Sequence, residues 1–150
     1  MNRRREIRFT PEEQADFLRA HRKAALATIG EDGFPHVVAM NFFTKDGTFY
    51  MTSYAKAQKV LNIRRNPKVA LMVEAGDKYS ELQGVLMRGR CEIVEGEDAV
   101  RAAFTDMARA RGATYERPSA ASDSAPKRVV LKITPEKITS WDHTKLVGVY

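Results

Sequence analysis

Ala24-Ala25-Leu26-Ala27-Thr28-Ile29-Gly30-Glu31-Asp32-Gly33-Phe34-Pro35-His36-Val37-Val38-Ala39-Met40-Asn41-Phe42-Phe43-Thr44-Lys45-Asp46-Gly47-Thr48-Phe49-Tyr50-Met51-Thr52-Ser53 contains three apolar runs divided by two Asp-Gly pairs. Asp-Gly between apolar runs is a strong hairpin signal, because tight hairpin turns need positive φ and glycine adopts it without steric cost. Strands over 24–29, 35–43 and 48–53 are therefore predicted, joined as an antiparallel meander. Upstream, Thr10-Pro11-Glu12-Glu13 reads as a capping box with proline at the first helical position, which starts a short helix reaching about His21.

Downstream, Ala55 to Asn66 is helix-compatible, and Pro67 disfavours helical geometry at Asn66 and so ends it. Val69-Ala70-Leu71-Met72-Val73 is a continuous apolar run, the pattern of a strand buried on both faces. Val85, Met87, Gly89, Cys91 and Ile93 then alternate with Leu86, Arg88, Arg90, Glu92 and Val94, giving an apolar row and a mostly charged row. Gly89 in that strand suggests a bulge or a close backbone approach. Val100, Ala103, Phe104, Met107 and Ala108 form one stripe of a helix over 97–111, with Gly112 suited to its C-terminal cap. Residues 113–127 are small and polar and read as a mobile loop. Arg128 to Ile133 supplies a sixth strand, which could resume through Ile138 to Trp141 after a break at Pro135.

Six strands and a few helices predict a mainly β, α+β domain: a small antiparallel barrel or curved sheet, whose closure removes edges prone to aggregation. The 150 residues suit one domain over 1–150, with a basic, flexible segment at 1–9. Hydrophobic residues at 43% and charged residues at 29% argue against collagen-like, wholly disordered and membrane-spanning classes. One cysteine, Cys91, excludes an intrachain disulfide, and with three scattered histidines it argues against a metal centre. No apolar signal core follows the N-terminal arginines, so a cytoplasmic location is expected. The net charge of +6 favours anionic partners in general.

The sharpest local anomaly is Thr52-Ser53-Tyr54-Ala55-Lys56-Ala57-Gln58-Lys59. With Thr52 or Ser53 as a cap, Lys56 and Lys59 fall in the first turns of a helix, where the positive end of the macrodipole disfavours cations. Two hydroxyls, two ammonium groups and helix N–H groups could together cradle a phosphate; a solvated basic helix face is the alternative. Arg88 and Arg90 share a strand face and could bind an anion, although Glu92 beside them suggests a salt-bridged surface. His36 opens the second strand, and Trp141, the sole tryptophan, could stack on a planar ring. No nucleophile with a recognisable base, no paired carboxylates and no Walker-type loop occur, so catalytic residues are not assigned.

Taken together, Ala25-Leu26-Ala27-Thr28, Pro35-His36-Val37-Val38, Phe49-Tyr50-Met51-Thr52-Ser53, Lys59 to Leu71, Gly84-Val85-Leu86-Met87-Arg88-Gly89 and Trp141 to Leu146 resemble the pyridoxamine 5′-phosphate oxidase-like superfamily. The resemblance implies a six-stranded antiparallel split β-barrel of the FMN-binding type that works as a homodimer. It implies a flavin phosphate held by Thr52, Ser53 and Lys59 with help from Lys56. The isoalloxazine ring would lie against the second-strand backbone, at His36, Val37, Val38, Ala39, Met40 and Asn41, and a partner chain would supply Arg88 or Trp141. FMN is the implied cofactor and the deazaflavin coenzyme F420 the alternative. The implied activity is hydride transfer between that cofactor and a small organic substrate. The arginine-rich C-terminal motif of true pyridoxamine 5′-phosphate oxidases is not matched, so vitamin B6 oxidation is not expected. A non-catalytic flavin or haem storage protein is the other reading. No membrane partner is expected, and no nucleic-acid partner, since the interleaved exposed aromatics that stack bases are lacking.

Overall fold

The computed structural model describes residues 3–112 and 123–146. Seven strands form one antiparallel sheet in the order β2-β1-β5-β6-β7-β4-β3: β1 (Lys23–Ile29), β2 (Pro35–Asn41), β3 (Phe43–Lys45), β4 (Thr48–Tyr54), β5 (Lys68–Ala75), β6 (Gln83–Val94) and β7 (Arg128–Asp142). Four helices accompany it: α1 (Arg3–Glu6), α2 (Pro11–Ala20), α3 (Gln58–Arg65) and α4 (Glu97–Arg111).

The count is seven rather than six because the 35–43 stretch divides at Phe42. Pro35–Asn41 pairs with β1, whereas Phe43–Lys45 pairs with β4 at the opposite edge of the sheet. One buried residue thus links two sheet edges, so the sheet must curl on itself into a split barrel. Phe42 is buried, with its N–H donated to Arg22 O at 3.0 Å and its ring 5.9 Å from that of Phe49. The expected three-strand meander is therefore two hairpins, β1–β2 and β3–β4, and β2 and β4 are not sheet neighbours. Both Asp-Gly turns occur, with Gly33 at φ 84° and the pair Asp46 and Gly47 at 51° and 78°.

The barrel interior takes one side of five strands: Leu26 of β1, Phe49 and Met51 of β4, Leu71 and Val73 of β5, Val85 and Met87 of β6, and Leu131 and Ile133 of β7. Val60 and Ile63 of α3 and Phe17 of α2 cap this core. A second cluster lies under α4, where Val100, Ala103, Phe104 and Met107 pack on Phe43, Ala125 and Val130. The α2 capping box forms as read, with Glu13 N–H donating to Thr10 Oγ1 and Thr10 N–H to Glu13 Oε1.

Gly89 marks a bulge, and β7 does not break at Pro135. The β6–β7 register shifts between Arg88 and Gly89, with Pro135 opposite Gly89, so the residue that cannot donate sits where the ladder is already interrupted. A Cβ on Gly89 would meet the Thr134 carbonyl oxygen, which is the close backbone approach anticipated there. Across the sheet, β5 is not buried on both faces: Val69, Leu71 and Val73 point inward, while Met72 is 37% exposed on the outer face. At the N-terminal end, Asp142 N–H donates to Ile7 O and Phe9 N–H to Ser140 Oγ, laying residues 7–9 along the end of β7. Of the 113–127 loop, 113–122 lie outside the described residues, while Ser124 and Ala125 are buried beside α4. Among the described residues no helix is long and apolar enough to cross a membrane.

Candidate functional site

Helix α3 starts at Gln58, later than the sequence pattern suggests. Its N-cap is Ala57, which has no side-chain hydrogen bond, so neither Thr52 nor Ser53 caps it. Both belong to β4, where strand alternation sends them to opposite faces. Ser53 is buried on the barrel side, and its Oγ donates to Tyr54 O at 3.1 Å. Thr52 faces the α4 side and accepts from Arg128 Nη1 at 3.4 Å.

Arg128 is the residue that sequence reasoning missed. It opens β7 opposite Tyr54, and its guanidinium lies 4.3 Å from the Tyr54 ring centroid and 5.9 Å from that of Phe104. Its Nε donates to Ser124 Oγ at 2.8 Å. This fixes the planar guanidinium between two aromatic rings and two hydroxyls. Lys59, in the first turn of α3, lies near enough to feel its charge. Burial first, and the charge of Arg128 second, hold the Lys59 ammonium below its ordinary pKa. No carboxylate pairs with either cation among the described residues. Lys56 stands on the exposed turn before α3.

The second-strand candidates present a different surface. At the two ends of the β1–β2 hairpin, Gly30 N–H donates to Phe34 O and Phe42 N–H to Arg22 O. Antiparallel bonding alternates, so the main chains of His36, Val38 and Met40 bond β1, while the N–H groups of Val37, Ala39 and Asn41 point outward. β2 is an edge strand, so those donors have no sheet partner among the described residues. A cavity of about 300 Å³ runs along Val37, Val38 and Ala39, with Lys23, Met72 and Glu74 on its other walls.

His36 turns inward beside Thr28, at a separate cavity of about 560 Å³ lined also by Gln58 and Asn62. Asn62 is fully buried and donates to Thr28 Oγ1 at 3.0 Å, and it accepts from Gln58 and Arg65. His36 Nδ1 is buried with no hydrogen-bond partner.

Arg88 and Trp141 are not brought to the Lys59–Arg128 pair within the chain. Arg88 lies at a cavity of about 500 Å³ on the outer sheet face, with Ala27, Ala70, Lys68 and Gly89. It is in register with Ala70, Ala27 and Val37, three strands from β2, or roughly 14 Å at the usual strand spacing. Its strand neighbour Arg90 pairs with Glu136 at 2.7 Å rather than with Glu92. Trp141 lies over Gly84, where a Cβ would collide with the indole, at the opposite end of β7 from Arg128. Burial pushes the Cys91 thiol up to about 12, so it is not a nucleophile near neutral pH. No cluster of three metal-ligating side chains occurs among the described residues.

The chemistry available is therefore anion capture between Lys59 and Arg128, and main-chain hydrogen bonding along β2. The family model described as pyridoxamine 5′-phosphate oxidase matches residues 10–142. A conserved hypothetical protein of Mycobacterium tuberculosis is 36% identical, with a TM-score of 0.84 over 94% of this chain and 89% of that one. An F420 reductase is 28% identical, with a TM-score of 0.68 over 87% of this chain and 98% of that one. The haem storage protein HutZ of Vibrio cholerae, 17% identical, shares the fold at a TM-score of 0.69 over 89% of this chain and 96% of that one. No curated protein matches the chain.

Proposed function

The chain belongs to the pyridoxamine 5′-phosphate oxidase family, and from that premise we propose that it is an oxidoreductase binding a flavin-type cofactor, FMN in the first instance. The observation that carries this reading is the Lys59–Arg128 pair. Arg128 donates to the Thr52 hydroxyl, the charge of Arg128 destabilises the Lys59 ammonium, and no carboxylate pairs with either cation among the described residues. A phosphate relieves that repulsion, and charge-assisted bonds to it are about twice as strong as neutral ones. The residues present thus fit the phosphorylated tail of a flavin.

Each part of the chain then has a task. Lys59 and Arg128 hold the phosphate, and Thr52 keeps the guanidinium turned towards it. The outward N–H groups of Val37, Ala39 and Asn41 orient the ring and bias its electronics by hydrogen bonding. When bound, the flavin ring supplies hydride chemistry towards a small organic acceptor.

The outer sheet face completes the proposal. Ile29, Val37, Met72 and Leu86 are 38%, 61%, 37% and 43% exposed there, around Ala25, Ala27, Ala39 and Ala70. Small residues allow close approach, and a second copy covering this face would bury Met72 and exclude water from the ring cavity along β2. Arg88, on the same face, would then meet the partner. A homodimer is the expected assembly, and sedimentation of the purified protein, with Met72→Glu as the disrupting variant, tests it.

The deazaflavin F420 is the second reading, favoured by the 28% identical F420 reductase, which the alignment covers almost completely. Titration with FMN and separately with F420, followed by visible absorbance, decides between them. Binding of one equivalent at micromolar concentration, with reduction and reoxidation of the bound ring, is the expected result. Tight binding without turnover would indicate storage, and failure of both ligands to bind would end the proposal.

A further inference from the structure

Six arginines, Arg19, Arg64, Arg65, Arg90, Arg101 and Arg109, pair with carboxylates, and each of them is exposed. Arg128 is half-buried and is held by neutral groups instead. Its Nε donates to Ser124 Oγ at 2.8 Å and its Nη1 to Thr52 Oγ1 at 3.4 Å, and its Cζ stands 4.3 Å from the Tyr54 ring centroid. Two hydroxyls and an aromatic face fix the direction of a guanidinium, yet none carries a formal charge that cancels its own. No carboxylate pairs with Arg128 among the described residues.

The Ser124 hydroxyl is carried on a firm support. Ser124 is buried and opens the turn Ala125–Lys127 that leads into β7. Its carbonyl accepts from Lys127 N–H at 2.9 Å, and the Lys127 carbonyl accepts from Ala55 N–H at 2.9 Å, so the turn is tied to itself and to the end of β4. Ala125, fully buried, belongs to the same core cluster as Phe104 and Met107 of α4. An acceptor delivered in this way selects one edge of the guanidinium. A guanidinium grips an oxyanion through either of two edges, one that includes Nε–H and one made by the two terminal nitrogens. With Nε–H given to Ser124, the edge left to a phosphate is that of the terminal nitrogens.

We propose that Ser124 is a positioning residue for the phosphate site: its hydroxyl occupies Nε of Arg128, so that an anion meets the terminal edge of the guanidinium at full charge. This rests on the flavin reading above and adds to it a residue that touches no ligand. The neutrality of Ser124 is what matters. An aspartate there would keep a hydrogen bond to Nε and cancel the charge, turning Arg128 into one more structural ion pair like the six at the surface. A half-buried pair is only weakly screened, so that exchange removes most of the attraction for an anion.

FMN and riboflavin share a ring and differ in the phosphate, so titrating both into each variant, with thermal melts alongside, isolates the effect on the anion. Ser124→Ala should weaken FMN by about three- to tenfold, the value of one hydrogen bond, and leave riboflavin unchanged. Ser124→Thr, which keeps the hydroxyl, should restore FMN binding. Ser124→Asp should weaken FMN by more than about tenfold while its Tm stays at or above that of Ser124→Ala, a combination that a purely structural serine does not give. In an Arg128→Lys background, which has no guanidinium, Ser124→Ala should cause no further loss. Equal loss of FMN and riboflavin, an undiminished Ser124→Ala effect in the Arg128→Lys background, or wild-type FMN affinity in Ser124→Asp would each overturn the role of Ser124. Arg128→Ala weakening FMN while Ser124→Ala does not would overturn it and leave the flavin reading standing. Failure of the wild-type chain to bind FMN would overturn it too, and failure with F420 as well would end that reading.

Discussion

The two ends of α3 carry cations in opposite circumstances. At its C-terminal end, Arg64 reaches Glu95 at 2.6 Å and Arg65 reaches Glu31 at 3.6 Å, and both complement the negative end of the helix dipole. At its N-terminal end, Lys59 meets the positive end of the dipole and the charge of Arg128, with no carboxylate paired to either among the described residues. The same helix therefore places one group of charges where it is satisfied and another where it is not. Unneutralised cations are the informative ones: the satisfied end needs only solvent, and the unsatisfied end is where the proposed phosphate would relieve repulsion.

The largest expected effect comes from removing the unsatisfied end. Arg128→Ala should weaken FMN binding by about 1.5–3 kcal/mol, roughly tenfold to a hundredfold, the usual range for a hydrogen bond to a charged group. Lys59→Ala should cost a similar amount. The two losses should fall short of additive, because each cation raises the energy of the other in the free protein, and either single variant already forfeits the relief of that repulsion by the phosphate. Calorimetric titration of the four members of that cycle is the measurement. Full additivity would mean that the two groups do not share a phosphate.

Proton linkage sharpens the same contrast with a smaller effect. The Lys59 pKa is lowered in the folded protein, so folding releases a proton in the window between that lowered value and the ordinary lysine value of 10.5. As pH rises through this window the apo-protein should gain stability relative to its unfolded chain, because the unfolded state binds more protons there. Affinity for FMN should move the other way and fall, because the ammonium that grips the phosphate is lost. Lys59→Arg stays charged throughout and should remove the lysine part of that decline. Parallel pH titrations of thermal stability and FMN affinity would show the opposed slopes; slopes of the same sign would refute the assignment.

How far the sequence could foretell this differs between scaffold and site. Asp32-Gly33 and Asp46-Gly47 announce both hairpins, Thr10 to Glu13 announces α2, and Gly89 announces the bulge, because each signal is local and steric. The division at Phe42 was hidden: no residue there breaks strand character, and the change of partner is decided by barrel closure. Lys59 was visible as a dipole anomaly, although the cap inferred from Thr52 and Ser53 does not form. Arg128 was invisible because it stands 69 residues further along the chain. Only the β4–β7 register, with Tyr54 opposite Arg128, brings it to the site. Distant strand pairing is the information that a local reading lacks.

The smallest effects test whether the distinction between the two ends is real. Lys59→Met removes one member of a repelling pair, so the apo-protein should become slightly more stable. Solvent screening keeps the gain below about 1 kcal/mol, a rise in Tm of at most about 4 °C. Arg64→Ala is the counterpart at the satisfied end. Its pair is 44% and 67% exposed, so the variant should lose less than about 1 kcal/mol of stability and leave FMN affinity unchanged. Thermal melts and FMN titrations of both variants, side by side, set the sign of each charge. If Arg64→Ala weakened FMN as much as Lys59→Ala, the attraction would be that of a chain with net charge +6 for any anion, and the helix would have no preferred end.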